Sequence, residues 1–496
     1  MSYNVPHFIN GKALVTSGPK LELINPANEE IIGHVALGDK GIVDEAVLAA
    51  QKAFLTWSQT SILKRTKILF NYKTILEKNI DALAQLVTRE HGKTLADARG
   101  SVQRGIDVVE FACGMASHLQ GSYTEAAATE IDTYSVRQPL GVCAGITPFN
   151  FPAMIALWMF PIAIGCGNTF ILKPSEKDPS CSVKLAELAI EAGLPPGVLN
   201  VVQGDKEAVN AILNHPGIQS VSFVGSSPVA KYVYQTATQN GKRAQAFGSA
   251  KNHCVVMPDA DLDNTVDAIV GAAYGSAGER CMAISVVVAV GNKIADLLVA
   301  RMESRIKNLI IGVGTNAGIE MGPLINKAHL KRVKEYVDLG VEEGATLVVD
   351  GREHHPKGVS KGYFMGGCLF DNVKPEMRIY QEEIFGPVLS IVRVANFDEA
   401  LDLINNHVYG NGTAIFTRDG NAARTFANRV QIGMVGINIP IPVPIGSYSF
   451  GGWKHSVFGD LHMHGPEAIL FYTKLKTITQ RWVKSAIDIE FAMPTH

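Results

Sequence analysis

The chain contains 496 residues, more than one hydrophobic core normally organises, so two or three domains are expected. Apolar residues make up 47% of the chain and charged residues 19%, which excludes a disordered protein and predicts a globular one. A formal net charge of -2, without any Lys/Arg-rich run, argues against nucleic acid and anionic membrane surfaces as partners.

The first part of the chain predicts a strand hairpin followed by helices. HFINGKAL, a turn and KLELINPANEEIIGHVAL predict a hairpin at the N-terminus. Residues 41–119 then repeat apolar side chains at the i, i+3, i+4 and i+7 spacing of amphipathic helices. The next segment, SYTEAAATEIDTYSVRQP, resembles a β-hairpin arm that stands outside the main domains.

An uncharged run from Gln138 to Leu172 is as long as a membrane-spanning helix. Prolines, glycines and asparagines divide it into a strand (GVCAGITP), a helix (PAMIALWMFPIAIGCG) and a second strand (TFILKP). Because the strands of a parallel sheet are covered on both faces, such apolar runs are typical of the centre of an α/β domain. Strands and helices continue to alternate as far as SVSFVGS, so we predict a doubly wound parallel sheet and no membrane span.

A second set of strands and helices begins after residue 250, with strand-like VVVAVG, ATLVVDG, LSIVRV and GTAIFT. We therefore predict an α/β protein with a first domain over 1–119 and 141–250 and a second over 251–445. An arm and a C-terminal segment, over 120–140 and 446–496, remain outside both. Their exposed strands would need covering, which predicts a homo-oligomer, either a dimer or a tetramer.

Seven cysteines are scattered along the chain without a CxxC pair, which argues against a disulfide framework and a thiolate metal site. The N-terminus lacks a basic segment followed by an apolar one, so we expect no signal peptide and a cytosolic protein. Cys281 follows LDNTVDAIVGAAYGSAG, a helix that we predict to end at Gly278. Beside Arg280 this cysteine is a candidate nucleophile, although a lone cysteine is more often a small buried residue.

Three further segments place polar residues at predicted strand exits, where doubly wound sheets bind ligands. Asn150 carries an amide that can donate to an oxyanion, although taken alone it is more typical of a turn. Lys173 and Glu176 provide the cation and the carboxylate that a ribose needs, or else form a solvated turn. Gly225 and Ser226 precede a helix whose N-terminus can hold a pyrophosphate, without the usual GxGxxG motif.

Taken in order, FINGK, INPANEE, TPFNFP, LKPSE, FVGS, GERC, EEIFGPV and FGGWKHS resemble the aldehyde dehydrogenase superfamily over essentially the whole chain. The resemblance implies a Rossmann-type NAD-binding domain, an α/β catalytic domain and a β oligomerisation arm. It implies that Cys281 is the nucleophile and that Asn150 and the Cys281 N–H form an oxyanion hole. The residues that it assigns to NAD are Thr147, Phe149, Lys173, Glu176, Lys177, Gly225, Ser226, Gly248, Glu383 and Phe385. The Glu176 carboxylate would repel a 2′-phosphate, which favours NAD over NADP.

The segment QAFGSAKNH departs from the superfamily pattern. Most members have a glutamate there, as the base for the water that hydrolyses the thioester, whereas this chain has Ala246 or Phe247. A thiol acceptor needs less help than water, because it is intrinsically nucleophilic and partly ionised near neutral pH. The change therefore predicts acyl transfer to coenzyme A. The alternatives are that another acid, such as Glu279, replaces the base, or that hydrolysis is slow.

AKNHCVVMPDAD, GSAGERCMA and GDLHMHG resemble the coenzyme A-acylating methylmalonate-semialdehyde dehydrogenases. That resemblance implies that Arg104 and Arg280 grip a substrate carboxylate, although Arg104 taken alone is typical of a solvated helix position. We expect NAD-dependent oxidation of malonate or methylmalonate semialdehyde, a small-molecule aldehyde, with loss of CO2 and formation of acetyl-CoA or propionyl-CoA. The competing hypotheses are a hydrolytic aldehyde dehydrogenase that releases a free acid, and a catalytically silent member with a binding role.

Overall fold

Two short hairpins and a group of helices open the chain in the computed structural model, which describes residues 3–482. The strands are β1 (Tyr3–Val5), β2 (His7–Ile9), β3 (Lys12–Leu14), β4 (Lys20–Ile24) and β5 (Ile31–Ala36). The helices are α1 (Lys40–Trp57), α2 (Ile62–Lys78), α3 (Ile80–His91), α4 (Leu95–Cys113) and α5 (Met115–His118). The single predicted hairpin is wrong, since β2 pairs with β3 and β4 pairs with β5. Asn10 and Gly11, with φ of 52° and 75°, form a two-residue turn that closes the first pair locally.

The strand, helix and strand predicted for the uncharged run are confirmed. They are β8 (Val142–Ile146), α6 (Met154–Gly165) and β9 (Thr169–Lys173), and they follow an arm of β6 (Tyr123–Ala128) and β7 (Ile131–Pro139). Every residue of α6 is buried, which explains why this helix has no polar face. Within residues 3–482, no helix is long and apolar enough to cross a membrane.

An eight-stranded sheet holds the first half of the chain, in the order β22-β12-β11-β8-β9-β10-β2-β3. Its further elements are α7 (Ser180–Glu191), β10 (Leu199–Val201), α8 (Lys206–Asn214), β11 (Ile218–Val224), α9 (Ser227–Gln239), β12 (Arg243–Phe247) and β22 (Val457–Phe458). The five strands from β12 to β10 are parallel, whereas β22 and β2 join antiparallel at the two sides. The predicted doubly wound parallel sheet is confirmed, and the carboxyl ends of its central strands meet along one edge.

A second, seven-stranded sheet follows residue 250, in the order β15-β16-β17-β14-β13-β19-β20. Its strands are β13 (Asn252–Val256), β14 (Ile284–Val290), β15 (Thr346–Val349), β16 (Cys368–Asp371), β17 (Val388–Val394), β19 (Gly412–Phe416) and β20 (Met434–Ile437). Its helices are α10 (Leu262–Tyr274), α11 (Asn292–Lys307), α12 (Lys327–Glu342), α13 (Arg378–Gln381), α14 (Phe397–Asn406) and α15 (Gly420–Arg429). The first helix ends at Tyr274, so the predicted end at Gly278 is wrong. Ser276 and Ala277, with φ of 55° and 52°, leave the helical conformation before that glycine.

The C-terminal part of the chain returns to the first half of the molecule. Its elements are β18 (Tyr409–Gly410), β21 (Trp453–Lys454), α16 (Gly465–Phe471) and β23 (Thr473–Arg481). The last strand, β23, pairs with β7 over its whole length and completes a three-stranded sheet with β6. Residues 483–496 of the predicted C-terminal segment lie outside the described residues.

Candidate active site

A cavity of about 920 Å³ lies at the carboxyl edge of the eight-stranded sheet and faces the second half of the chain. This volume is typical of a site for a sizeable organic ligand. The predicted catalytic and cofactor residues that line it are Thr147, Phe149, Asn150, Lys173, Glu176, Lys177, Gly225, Ser226, Gly248, Cys281, Glu383 and Phe385. The fold thus brings together all of the residues that the motifs proposed for the nucleophile, its amide donor and the cofactor.

Four neighbouring strands deliver the cofactor residues to this edge. Thr147 follows β8, Lys173 ends β9, Gly225 follows β11 and Gly248 follows β12. These strands run parallel and are hydrogen-bonded neighbours, so their carboxyl ends present these residues side by side. Lys173 and Gly225 were predicted from this rule, whereas Thr147 and Gly248 were assigned by the family resemblance.

The loop that carries Cys281 follows an unusual turn. Ser276, Ala277 and Gly278 have φ of 55°, 52° and 72°, which is the left-handed region. A Cβ on Gly278 would lie 2.2 Å from the Gly386 carbonyl oxygen, so only glycine permits this approach of the two loops. The left-handed turn redirects the chain after α10 and brings Cys281 onto the cavity.

Two amides fix the main chain of the nucleophile. The Cys281 carbonyl oxygen accepts hydrogen bonds from Asn252 Nδ2 at 2.9 Å and from Asn411 Nδ2 at 3.0 Å. Burial, followed by the negative charge of Glu383, raises the pKa of the Cys281 thiol to about 12. In the ligand-free protein the cysteine is therefore a neutral thiol, and its activation depends on what binds in the cavity.

Asn150 is 3% exposed, and hydrogen bonds fix both its side chain and its main chain. Its side-chain Nδ2 donates to the Glu279 main-chain carbonyl oxygen at 3.1 Å, and its main-chain carbonyl oxygen accepts from Lys93 Nζ at 2.6 Å. Because a side-chain amide carries two hydrogens, one remains available to a ligand oxygen in the cavity. The arrangement suits a fixed donor to a charge that develops beside Cys281.

One end of the cavity has the features of a dinucleotide site. Lys173 Nζ lies 3.3 Å from Glu176 Oε2, which gives a cation and a carboxylate together. Thr147 Oγ1 is buried on the cavity and has no hydrogen-bond partner within residues 3–482. The α9 N-terminus begins after Ser226. The Ser227 N–H donates to Ser249 Oγ at 3.0 Å and Pro228 has no N–H, so the Val229 N–H is the group of this first turn that suits an anion. A Cβ on Gly248 would lie 3.0 Å from Ser227 Cα, so the glycine lets the two loops approach beside this helix.

The opposite end is lined by an acid and two aromatic rings. Glu383 Oε1 accepts from the Ala250 N–H at 2.9 Å, and burial raises the pKa of this carboxyl. Phe149 and Phe385 meet edge to face with ring centroids 5.9 Å apart, and Lys177 Nζ lies 4.7 Å from the Phe149 centroid. Phe385 has φ of 62°, an uncommon backbone conformation for a bulky residue.

Apolar side chains stand at the position where most members of the superfamily have the hydrolytic glutamate. Ala246 and Phe247 lie in β12 and are both buried. Glu279, the acid considered as a replacement, is also fully buried and does not line the cavity. The carboxylates that do line it, within the described part of the chain, are Glu176, Asp205 and Glu383.

The two predicted arginines are not brought together. Arg280 donates to Asp97 Oδ1 at 2.6 Å and to the Gly271 carbonyl oxygen at 3.3 Å. Its guanidinium lines a separate pocket of about 460 Å³, with Asp97 and Ser276. Arg104 is exposed on α4 and lines neither of these cavities. A shared grip on a carboxylate stays a prediction, and it requires Arg280 to leave Asp97.

Several cavity residues were missed by the sequence analysis, namely Asp205, Lys206, Asn210, Tyr232, His329 and Arg332. Asp205 follows the exit of β10, so the rule that found Lys173 would have found it too. His329 and Arg332 lie on α12, in the second half of the chain, and had the pattern of an ordinary amphipathic helix. Arg332 donates to the Glu383 carbonyl oxygen at 3.1 Å and so belongs to the same end of the site.

Comparison with known proteins gives consistent results along the whole chain. The model of the aldehyde dehydrogenase family matches residues 14–478. The malonate-semialdehyde dehydrogenase of Pseudomonas aeruginosa is 54% identical over 491 residues, which cover 99% of each chain. The enzyme of the same name from Halalkalibacterium halodurans is 50% identical over 478 residues, which cover 96% of this chain and 98% of that one.

Solved structures agree with these sequence relatives. A putative methylmalonate-semialdehyde dehydrogenase from Sinorhizobium meliloti, complexed with NAD, superposes with a TM-score of 0.97 at 54% identity, over 98% of this chain and 99% of that one. A methylmalonate-semialdehyde dehydrogenase from Oceanimonas doudoroffii superposes with a TM-score of 0.96 at 53% identity, over 98% of this chain and 99% of that one. The predicted family and its α/β fold are confirmed.

Proposed function

The chain belongs to the aldehyde dehydrogenase family, and from this premise we propose that it oxidises malonate or methylmalonate semialdehyde with NAD and transfers the acyl group to coenzyme A. The observation that carries the proposal is the composition of the cavity. Cys281 and Asn150 face it together with the residues of a dinucleotide site, whereas buried Ala246 and Phe247 replace the hydrolytic glutamate. The full-length relatives named for these two aldehydes support the substrate.

NAD fits the cavity by the features of this structure, and when bound it supplies the two-electron acceptor of the reaction. Lys173 and Glu176 would hold the adenine ribose, and Lys177, whose Nζ lies over the Phe149 ring, would line the path of the cofactor. Gly225, Ser226 and the α9 N-terminus would receive the pyrophosphate. The remaining cofactor residues would be Thr147 and Phe149 along the path, Gly248 beside α9, and Glu383 and Phe385 at the nicotinamide ribose.

The first chemical step forms a bond between Cys281 Sγ and the aldehyde carbon. The thiol proton passes to solvent, and the carbonyl electron pair moves onto oxygen. The oxyanion accepts hydrogen bonds from Asn150 Nδ2 and from the Cys281 N–H, each worth about 3 kcal/mol. When the carbonyl re-forms, the hydrogen on that carbon leaves with the C–H electron pair to the two-electron acceptor, and a thioester remains on the cysteine.

Oxidation of a 3-oxo acid at its aldehyde carbon gives a thioester whose free carboxylate lies one carbon away from the acyl carbon. Cleavage of that C–C bond releases CO2 and places the electron pair on the thioester as an enolate. The same two N–H donors can stabilise the enolate oxygen before a proton returns to carbon. The thiolate of coenzyme A then displaces the cysteine, which gives acetyl-CoA or propionyl-CoA. Arg104 and Arg280 would orient the carboxylate before it leaves.

Product analysis with and without coenzyme A tests the proposal. With methylmalonate semialdehyde and NAD, the expected products are propionyl-CoA, CO2 and NADH, and turnover should stop at one equivalent without coenzyme A. Cys281→Ala should lose all turnover, whereas Cys113→Ala on α4 should keep it. Formation of the free acid at an equal rate without coenzyme A would overturn the choice of acceptor.

Hydrolysis is the second candidate, and Glu383 is the observation in its favour. This carboxyl lines the cavity, and its charge contributes to the raised pKa of Cys281. If free acid is the product, Glu383→Gln should abolish its release. A catalytically silent protein would give no NADH with any small aldehyde.

We also propose that the chain forms a homo-oligomer in a reducing compartment. Tyr123 on β6 and Leu475 on β23 are exposed apolar side chains on the arm. Such an edge is typically covered by a second copy. All seven cysteines are unpaired, the state that the cytosol maintains. Light scattering on the purified protein would distinguish a dimer or tetramer from a monomer.

A further inference from the structure

Glu279 is a buried carboxyl group close to the nucleophile that the proposed reaction does not use. Its side chain is fully buried, and Oε1 accepts the Ile325 N–H at 3.1 Å. Two histidines from distant helices flank it. His329 Nε2 lies 3.6 Å from Oε1, and His91 Nε2 lies 3.6 Å from Oε2. Three elements, namely the cysteine loop, α3 and α12, therefore meet at this carboxyl group.

Each histidine reaches one of the aromatic residues at the end of the cavity that contains Glu383. The His91 ring stacks on Phe149 with centroids 5.8 Å apart. His329 Nε2 lies 2.7 Å from the Phe385 carbonyl oxygen, and Phe385 has the left-handed φ of 62°. A bulky residue keeps this conformation only where its surroundings impose it. The hydrogen bond from His329 is one such restraint on the position of Phe385.

The main chain of Glu279 also contacts the proposed catalytic residues. Its carbonyl oxygen accepts the Asn150 side-chain amide at 3.1 Å, so the same residue fixes the proposed oxyanion donor. The preceding residues Ser276 and Ala277 are left-handed although neither is glycine. Such a turn persists only when the surrounding contacts determine it. The contacts of Glu279 with His91 and His329 lie next to this turn and are well placed to do so.

We propose that Glu279 is a positioning residue, whose carboxyl group between His91 and His329 holds the cysteine loop against Phe149 and Phe385. The inference rests on the proposed use of NAD, because these two rings line the part of the cavity assigned to the nicotinamide. It does not rest on the choice of aldehyde or acyl acceptor. The expected consequence is that the carboxyl group acts chiefly on the affinity for NAD.

The protonation state follows from the groups that face the cluster. Burial raises the pKa of Glu279 to about 8, and the hydrogen bond from the Ile325 N–H, followed by the cations Lys93 and Lys177, opposes this only in part. Burial lowers the pKa of His91 and His329, with further lowering from Lys93 and Arg280 at the first and from Arg332 and Lys177 at the second. At neutral pH the cluster is therefore an uncharged acid between two neutral imidazoles.

The acid form suits this position better than the carboxylate. Glu279 Oε2 and His91 Nε2 are 3.6 Å apart, just beyond hydrogen-bond distance, and neither has a partner among the described residues. A protonated Oε2 can donate to His91 Nε2 after a shift of a few tenths of an ångström. His329 Nε2 is already engaged as a donor to the Phe385 carbonyl oxygen. Ionisation as the pH rises through about 8 removes the donor and leaves a buried anion between neutral rings. The contacts that fix Phe149 and Phe385 should then weaken.

The test is the dissociation constant for NAD, measured by titration between pH 6.5 and pH 9.5 without any aldehyde. For the unmodified protein, binding should weaken severalfold above pH 8. Glu279→Gln keeps an uncharged N–H donor and should bind NAD equally well across the whole range. Glu279→Ala should bind several times more weakly already at pH 7, and in turnover its KM for NAD should rise more than its kcat falls. Glu335→Gln makes the same substitution at an exposed acid on α12, outside the cluster, and is the matched control.

The proposal is overturned if Glu279→Gln shows the same alkaline weakening as the unmodified protein, or if Glu279→Ala binds NAD normally at pH 7. If the alanine variant does not fold, His91→Phe replaces it, because phenylalanine keeps the stacking on Phe149 and removes the ring nitrogens. Unchanged NAD affinity in that variant would also overturn the proposal. An unmodified protein that binds no NAD at any pH would instead refute the proposed cofactor.

Discussion

Asn150→Ala should remove most of the turnover and leave NAD binding in place. The Asn150 side chain is 3% exposed, lines the cavity with Cys281 and donates one N–H to the Glu279 carbonyl oxygen at 3.1 Å. Its second N–H is the proposed oxyanion donor. Loss of one such donor costs about 3 kcal/mol in the transition state, so kcat should fall about 100- to 1,000-fold.

The same substitution has a structural cost that must be separated from the catalytic one. Without the amide, the buried Glu279 carbonyl oxygen loses its partner, which costs about 1–3 kcal/mol of folding free energy. Asn200→Ala on β10 is the matched control, because the Asn200 side chain is also buried and its Nδ2 donates to the Gly197 carbonyl oxygen at 2.8 Å. Asn200 does not line the cavity, so that variant should lose stability and keep its kcat.

The measurements are kcat at saturating NAD and aldehyde, the dissociation constant for NAD, and the unfolding midpoint in urea. Both variants should show a lowered midpoint, and only Asn150→Ala should show the large fall in kcat. A kcat within threefold of the unmodified enzyme would refute the oxyanion role. A tenfold loss of NAD affinity would show that the amide acts by holding the cofactor site instead.

Two further predictions concern charges in the cavity. Glu176→Gln removes the carboxylate beside Lys173 Nζ. The preference for NAD over NADP should then fall about tenfold, equivalent to about 1.4 kcal/mol. An unchanged ratio of kcat/KM for NAD to kcat/KM for NADP would contradict the assignment of Glu176 to the ribose. Because the pKa of Cys281 is raised to about 12, its alkylation by iodoacetamide without NAD should accelerate about tenfold per pH unit between pH 7 and pH 10. Glu383→Gln removes a charge that disfavours the thiolate, so alkylation should be faster in that variant, and a rate plateau below pH 9 would refute the raised pKa.

Much of the fold could be predicted because its signals are local. The strand, helix and strand of the uncharged run could be predicted from the sequence. The helix α6 is buried on every side, so no position in it needs a polar residue. The prediction of a single N-terminal hairpin was wrong because a short local turn was overlooked. The pairing of β2 with β3 depends on the two-residue turn of Asn10 and Gly11. This turn signal is present in the sequence, but the prediction did not use it.

The cofactor end of the site was equally accessible to sequence reasoning. Parallel strands place their exits along one edge, so motifs that follow separate strands must meet there. That rule is sufficient for Lys173 and Gly225 without knowledge of any side-chain contact, whereas Gly248 was assigned by the family resemblance alone. It also explains why Asp205, which follows a shorter strand, could have been included.

Local patterns in the sequence therefore account for the α/β alternation, the edge where ligand residues converge and the motifs of the family. The tertiary structure alone decided which side chains engage one another across the two sheets. Arg280 meets Asp97, and Glu279 meets His91 and His329, through contacts between segments far apart in the chain. Such pairings depend on the left-handed turn before Cys281 and on how the elements pack, and neither leaves a periodic signal in the sequence.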